Sequence, residues 1–321
     1  MKGKRNGVGA WIILIIALPF FMFLPENIRG DESLTPGRHT ITLKADGYER
    51  QFHVQVPACY DPRTSIPVVL IFHGAGGGGD LYLDKNGWAA KAEKECFAAV
   101  APDGLPARPN RPAQFLLNPR LWNDGQLLSG SLRSKIDDTA FIRALLDDLG
   151  RRLNIDARRI YMTGHSNGAG MIFRLGAELS ERFAAMAPAA GHCWIQDPKP
   201  AKRMPTLYIV GTKDPLIRPE GGEIQLPWGK KTQPPVVQTL SRWAKALGLT
   251  TPASVVRDKD GLKIMRYGDE NGSSSLTAWF IEGQGHGWPG GSESGLPALL
   301  IGPAVGTVKA TDVIWDFFKK Y

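Results

Sequence analysis

Gly164-His165-Ser166-Asn167-Gly168 lies between an apolar run, Arg159-Ile160-Tyr161-Met162-Thr163, and a stretch in which Met171, Ile172, Leu175 and Leu179 fall at helical spacing. A serine flanked at two residues by glycines, at a strand-to-helix junction, reads as a nucleophile elbow. The serine stands at the tip of a sharp turn. Glycine on either side removes the Cβ atoms that would collide there. The pattern predicts a buried strand over 159–163 and a helix over 169–183.

Working outward, the same alternation recurs. Pro67-Val68-Val69-Leu70-Ile71-Phe72 is a continuous apolar run, as in central strands of parallel sheets, and it ends in His73-Gly74-Ala75-Gly76-Gly77-Gly78-Gly79. Further strands are expected at 97–101, 184–190, 206–210 and 276–281, with helices near 87–95, 136–153 and 310–320 and another after Pro234-Pro235. Asp137 and Asp138 fall where the 136–153 helix dipole favours negative charge. Hairpins are expected over 36–57, around Ala45-Asp46-Gly47, and over 253–267. A Pro- and Asn-rich loop fills 104–134. Strand, crossover and strand alternate, which predicts an α/β fold with a mostly parallel central sheet and helices on both faces.

A serine hydroxyl needs an imidazole base, and the base needs an acid that fixes its tautomer. In the chain order Ser, Asp, His, the acid is Asp214, at the end of the strand 206–210 and followed by Pro215. Asp269, in a polar hairpin tail, is the rival. The base is His286, in the glycine-flanked turn after the last strand, with His192 the runner-up. An acyl-transfer reaction also needs two N–H groups aimed at the developing oxyanion. Asn167, next to the serine, supplies one. Ala75 in the glycine loop supplies the other, with Gly76 close behind. A phosphate loop would end in Gly-Lys-Ser/Thr, which is absent here. Trp122, Trp194, Trp228 and Trp288 all fall in loops, and Trp122 and Trp288 are the candidate substrate-binding residues.

His73-Gly74-x-Gly76-Gly77, Trp122-Asn123, the elbow, Gly211-Thr212-x-Asp214 and Gly285-His286-x-Trp288-Pro289-Gly290-Gly291 together resemble the polyhydroxybutyrate depolymerase and feruloyl esterase family of α/β-hydrolases. The resemblance runs over about residues 35–321. It implies a carboxylic-ester hydrolase with nucleophile Ser166, acid Asp214 and base His286, acting through an acyl-enzyme on a small or oligomeric ester. No metal or organic cofactor is implied. The family's substrates include polyesters, feruloyl esters and acetyl-xylan, so the ester stays open. Cys193-Trp194 after Gly191-His192, and the N-terminal segment, depart from the family's secreted degraders. The rival readings are an exported serine peptidase on the same fold and a catalytically silent binding module. The second would have lost part of the triad.

Composition bounds the rest. With 321 residues, 43% of them hydrophobic, the chain is long enough for one large domain, expected over 31–321. Of the net charge of +8, three units belong to residues 1–30 and the others are dispersed, which argues against a nucleic-acid partner. Lys2, Lys4 and Arg5 precede an apolar run from Val8 to Leu24, the form of a secretory signal or a membrane anchor. No small-x-small cleavage site follows, so an uncleaved anchor with a periplasmic or extracellular domain is expected. Outside the cytoplasm, Cys59, Cys96 and Cys193 allow one disulfide and leave one thiol over. No polymer-binding module follows the closing helix, so soluble short-chain or aromatic esters are expected to be better substrates than crystalline polyester.

Overall fold

The computed structural model describes residues 33–115, 117–126, 132–226, 229–269, 275–292 and 298–321. The signal or anchor expected over 1–30 lies outside the described residues, as does Trp228. No helix among the described residues is long and apolar enough to cross a membrane.

In chain order, β1 (Gly37–Ala45) and β2 (Tyr48–Val56) form the expected hairpin, and β3 (Ile66–Phe72) follows. Then come α1 (Gly79–Lys85), α2 (Trp88–Glu95) and β4 (Ala98–Pro102). The 104–134 region holds two short strands, β5 (Leu105–Pro106) and β6 (Arg120–Leu121). After α3 (Asp138–Arg152), β7 (Ile155–His165) leads through Ser166 into α4 (Asn167–Glu178). Next are β8 (Ala185–Ala189), β9 (Thr206–Gly211), a hairpin of β10 (Gly222–Leu226) and β11 (Gly229–Gln233), and α5 (Val236–Ala246). The chain finishes with β12 (Ser254–Lys259), β13 (Leu262–Tyr267), β14 (Leu276–Ile281), α6 (Ala298–Ile301) and α7 (Ala310–Phe318).

Among the described residues, ten strands form one sheet in the order β1-β2-β4-β3-β7-β8-β9-β14-β13-β12. Its centre, from β4 to β14, is parallel, and antiparallel pairs close both edges. Period-two alternation explains why β3 is apolar throughout. Val68, Leu70 and Phe72 enter one core, with Leu145 of α3, Met171 of α4 and Leu240 of α5. Val69 and Ile71 enter the other, with Leu83 of α1, Trp88 of α2 and Ile314 of α7. Each such fully buried side chain contributes about 1.5–3 kcal/mol relative to exposure.

Several expectations shift. The helix expected near 87–95 is preceded by α1, which starts inside the glycine run. The elbow helix begins two residues earlier and ends at Glu178, followed by a single 3₁₀ turn at Ser180–Arg182. The β10–β11 hairpin was not expected. Asp137 caps α3, accepting the Ala140 N–H at 2.9 Å. Asp138 faces inward, fully buried between Arg50 and Arg133. The cysteine pairing left open by sequence is settled: Cys59 and Cys96 are bonded, and Cys193 is free and buried.

Candidate active site

The site lies at the carboxyl ends of the parallel strands, where ligands gather in open α/β sheets. Ser166 follows β7 directly and adopts φ 57°, ψ −119°. A non-glycine residue held there stores strain, which the turn must repay. Its N–H donates to Ala189 O at 2.9 Å, and its carbonyl accepts from Gly170 N at 3.1 Å. The flanking glycines are needed for space. A Cβ on Gly164 would lie 2.5 Å from Gly168 O, and one on Gly168 would lie 2.4 Å from Phe72 O.

Ser166 Oγ is 3.0 Å from His286 Nε2, and His286 Nδ1 is 2.8 Å from Asp214 Oδ2. The other Asp214 oxygen accepts the N–H groups of Leu216 and Ile217, each at 2.8 Å. The carboxylate is thereby fixed by the turn that Pro215 forces. The Asp214 and His286 turns pack backbone to backbone: Lys213 N–H donates to Gln284 O at 2.9 Å, and a Cβ on Gly211 would lie 2.0 Å from that oxygen. The rivals lie elsewhere. His192 Nδ1 faces Thr239 Oγ1 at 2.8 Å, and burial pushes its pKa down to about 4. Asp269 pairs with Arg203 at 2.6 Å.

The glycine loop abuts the serine, since a Cβ on Gly74 would lie 3.3 Å from Ser166 Cβ. Gly76 N–H is taken by Arg120 O at 2.8 Å. Among the described residues no protein acceptor takes the backbone N–H of Ala75 or Asn167. Both are free to meet an oxyanion, and Gly76 is not. His73 holds the loop base: its Nε2 accepts Gly104 N–H at 2.9 Å, and its Nδ1 faces Gly74 O at 2.7 Å. Burial keeps this imidazole neutral, at about 4.

Both tryptophans expected to bind substrate prove to be supports. Trp122 is fully buried, and its Nε1 donates to His73 O at 2.9 Å. Trp288 is 8% exposed; its Nε1 donates to Thr311 Oγ1 at 3.0 Å, and its ring meets Trp88 and His165 edge-on. Each indole N–H finds an internal acceptor, which turns the ring into the core. The apolar surface beside the loop comes instead from Phe115, 48% exposed, with exposed Leu117 near it in sequence. A Cβ on Gly76 would lie 2.7 Å from the Phe115 ring. Asn123, of the Trp-Asn pair, is also structural. Its N–H donates to Asp138 Oδ2 at 2.7 Å, and its side-chain amide donates to Ser134 O and Ile136 O, both at 3.0 Å.

No family model matches the chain. Among curated proteins it is similar to NocK, an inferred esterase of Nocardia uniformis subsp. tsuyamanensis, with 27% identity over 92% of this chain and 86% of that protein. It is 27% identical to feruloyl esterase B of Piromyces equi, over 74% of this chain and 42% of the relative, so it spans less than half of that protein. With feruloyl esterase C of Emericella nidulans it shares 28% identity over 66% of this chain and 72% of the other. Of solved structures, an acetyl xylan esterase from Aspergillus awamori superposes with a TM-score of 0.59 and 15% identity, covering 89% of this chain and all of that one. An S-formylglutathione hydrolase from Agrobacterium tumefaciens gives 0.54 and 14%, over 90% and 97%. At that identity these structures bear on the fold alone. The chain has an α/β-hydrolase fold and is similar in sequence to esterases and feruloyl esterases.

Proposed function

We propose that the protein is an exported serine carboxylic-ester hydrolase acting through an acyl-enzyme. The observation that supports this most is the unbroken hydrogen-bond chain from Ser166 through His286 to Asp214, with the serine on a strained elbow. In this reading His286 Nε2 takes the Ser166 proton as Oγ attacks the ester carbonyl. Asp214 holds Nδ1–H and stabilises the imidazolium. The N–H groups of Ala75 and Asn167 receive the oxyanion. His286 then returns the proton to the departing alcohol, and the acyl-serine is hydrolysed by water that His286 activates.

The half-exposed Phe115 ring beside the oxyanion loop favours a small acyl or aromatic group over a crystalline polymer. Export is supported by the Cys59–Cys96 disulfide, which persists in oxidising compartments, and by the apolar 8–24 run as a signal or anchor. The test is labelling with a fluorophosphonate probe, together with initial rates on p-nitrophenyl butyrate, methyl ferulate and a polyhydroxybutyrate film. Labelling that survives Ser166→Ala refutes the nucleophile. Rapid film clearing with weak activity on both soluble esters refutes the substrate class.

A further inference from the structure

Beside the elbow lies a carboxylate that the triad does not use. Asp124 is 2% exposed, at the end of the segment that carries Trp122. Its Oδ2 accepts from Asn167 Nδ2 at 2.8 Å, and its Oδ1 accepts the Gln126 N–H at 3.0 Å. Helix α4 presses on it from below: a Cβ on Gly170 would lie 2.6 Å from Oδ2. Lys231 of β11 is the cation whose field reaches it. Burial pushes its pKa up to about 6, so holding it ionised has a cost that some other interaction must justify.

Asn167 shows what that interaction does. Its Oδ1 accepts Trp122 N–H at 2.7 Å, and its Nδ2 donates to Trp122 O at 3.1 Å as well as to Asp124. The asparagine thus reads both polar groups of one residue's backbone. That reading works in one amide orientation only. A flipped amide would set its oxygen against the Asp124 carboxylate and its NH₂ against the Trp122 N–H. Trp122 in turn reaches His73 O through its indole N–H at 2.9 Å. The path Asp124–Asn167–Trp122–His73 therefore ties the elbow, which carries the Asn167 N–H, to the loop that carries the Ala75 N–H.

We infer that Asp124 is a positioning residue: it locks the Asn167 side chain onto Trp122 and so sets the separation of the two oxyanion donors. The inference rests on the proposed acyl-enzyme reading. Donors of this kind stabilise the transition state far more than bound ester, so the lock acts on kcat and leaves KM nearly alone.

The test is steady-state kinetics on p-nitrophenyl butyrate at pH 8, with circular dichroism and Tm for each variant. Asp124→Leu keeps the branched four-atom side chain, with bulkier methyls in place of the oxygens, and removes the acceptor. It should lower kcat about tenfold to a hundredfold with KM within about threefold, a fraction of what a whole oxyanion donor supplies. Asp124→Asn keeps an acceptor oxygen and should recover most of that loss, even though it removes the buried charge. Asn167→Ala leaves every backbone N–H in place and should match Asp124→Leu; it carries the same comparison if the leucine variant does not fold. Because both changes cut one path, the double variant should be no more than about threefold worse than either single. A kcat for both single variants within about twofold of wild type, or losses that multiply in the double variant, overturns the lock. Either result leaves the acyl-enzyme reading standing, provided Ser166→Ala abolishes wild-type turnover. Turnover that survives Ser166→Ala overturns that reading instead, and the lock with it.

Discussion

The turns that carry His165 and His286 bring two imidazoles to a ring separation of 4.7 Å, and both rings are almost wholly enclosed. His286 has a carboxylate on one nitrogen and a hydroxyl on the other. His165 has the His286 carbonyl on Nε2 at 2.6 Å and the Tyr82 hydroxyl on Nδ1 at 3.2 Å. A carbonyl only accepts, so Nε2 of His165 carries the proton and Nδ1 accepts from Tyr82. Burial, then the neighbouring His286, push His165 down to about 3. Two equally buried rings at one site therefore differ in role through their partners alone: one is arranged to take a proton, and the other is a fixed donor that holds its neighbour's backbone.

The largest effect should come from breaking the first of the pair. His286→Ala is expected to lower kcat by roughly four to six orders of magnitude on p-nitrophenyl butyrate with unchanged circular dichroism. Retention of more than a few per cent of activity would remove His286 from its role. Asp214→Asn should cost about four orders, because the amide favours the wrong tautomer of His286. The double variant should be little worse than His286→Ala. His192→Ala and Asp269→Asn should leave kcat within about threefold, as changes to groups outside the triad path.

The second ring gives a smaller effect with a different signature. His165→Gln keeps a donor within reach of the His286 carbonyl, and kcat should fall by about tenfold or less, the value of one supporting hydrogen bond. Its clearer mark is on stability against pH. Wild-type His165 must be deprotonated to stay folded, so its contribution is complete above about 6.5 and is lost as pH falls toward 3. His73 and His192, pushed down to about 4, act in the same direction. Asp124, raised to about 6, opposes them between its unfolded value and 6. Thermal midpoints from pH 7 to 4 should therefore fall, and fall less steeply in His165→Gln. An unchanged slope would mean that the ring is not held neutral.

The smallest effect on activity should come from a site remote from both rings. Removing the Cys59–Cys96 bond, which closes a separation of 37 residues, should cost about 4 kcal/mol in the chain-entropy account. The Tm should drop clearly while kcat at 25 °C stays within about twofold. A matching loss of kcat would show that the staple shapes the site as well as the fold.

What sequence revealed follows the same division between position and partner. That Ser166, Asp214 and His286 come together was legible because chain order and glycine spacing constrain backbone turns, and turns have sequence signatures. The roles of Trp122 and Trp288 were not. A tryptophan in a loop carries no periodicity to say which way it faces, and the deciding groups, His73 O and Thr311 Oγ1, come from distant segments. Phe115 was missed because it sits in a polar, proline-rich stretch. The β10–β11 hairpin was missed because Glu223, Gln225, Lys230 and Thr232 offer no apolar run. Asp124, adjacent to the Trp-Asn pair, had no local mark. Only its contact with Asn167 singles it out.

The three cysteines also keep a record of where the chain has been. Cys193 is 1% exposed, and burial pushes its thiol up to about 12, so a maleimide should find no reactive group in the native protein. Unfolded without reductant, an oxidised chain should react once; after reduction it should react three times, because the remaining pair is joined. A chain retained in a reducing compartment would give three in both cases. Counting sulfhydryls in denatured extracts thus tests the proposed export, by sorting chains that met an oxidising compartment from those kept reduced, with no fusion tag or antibody.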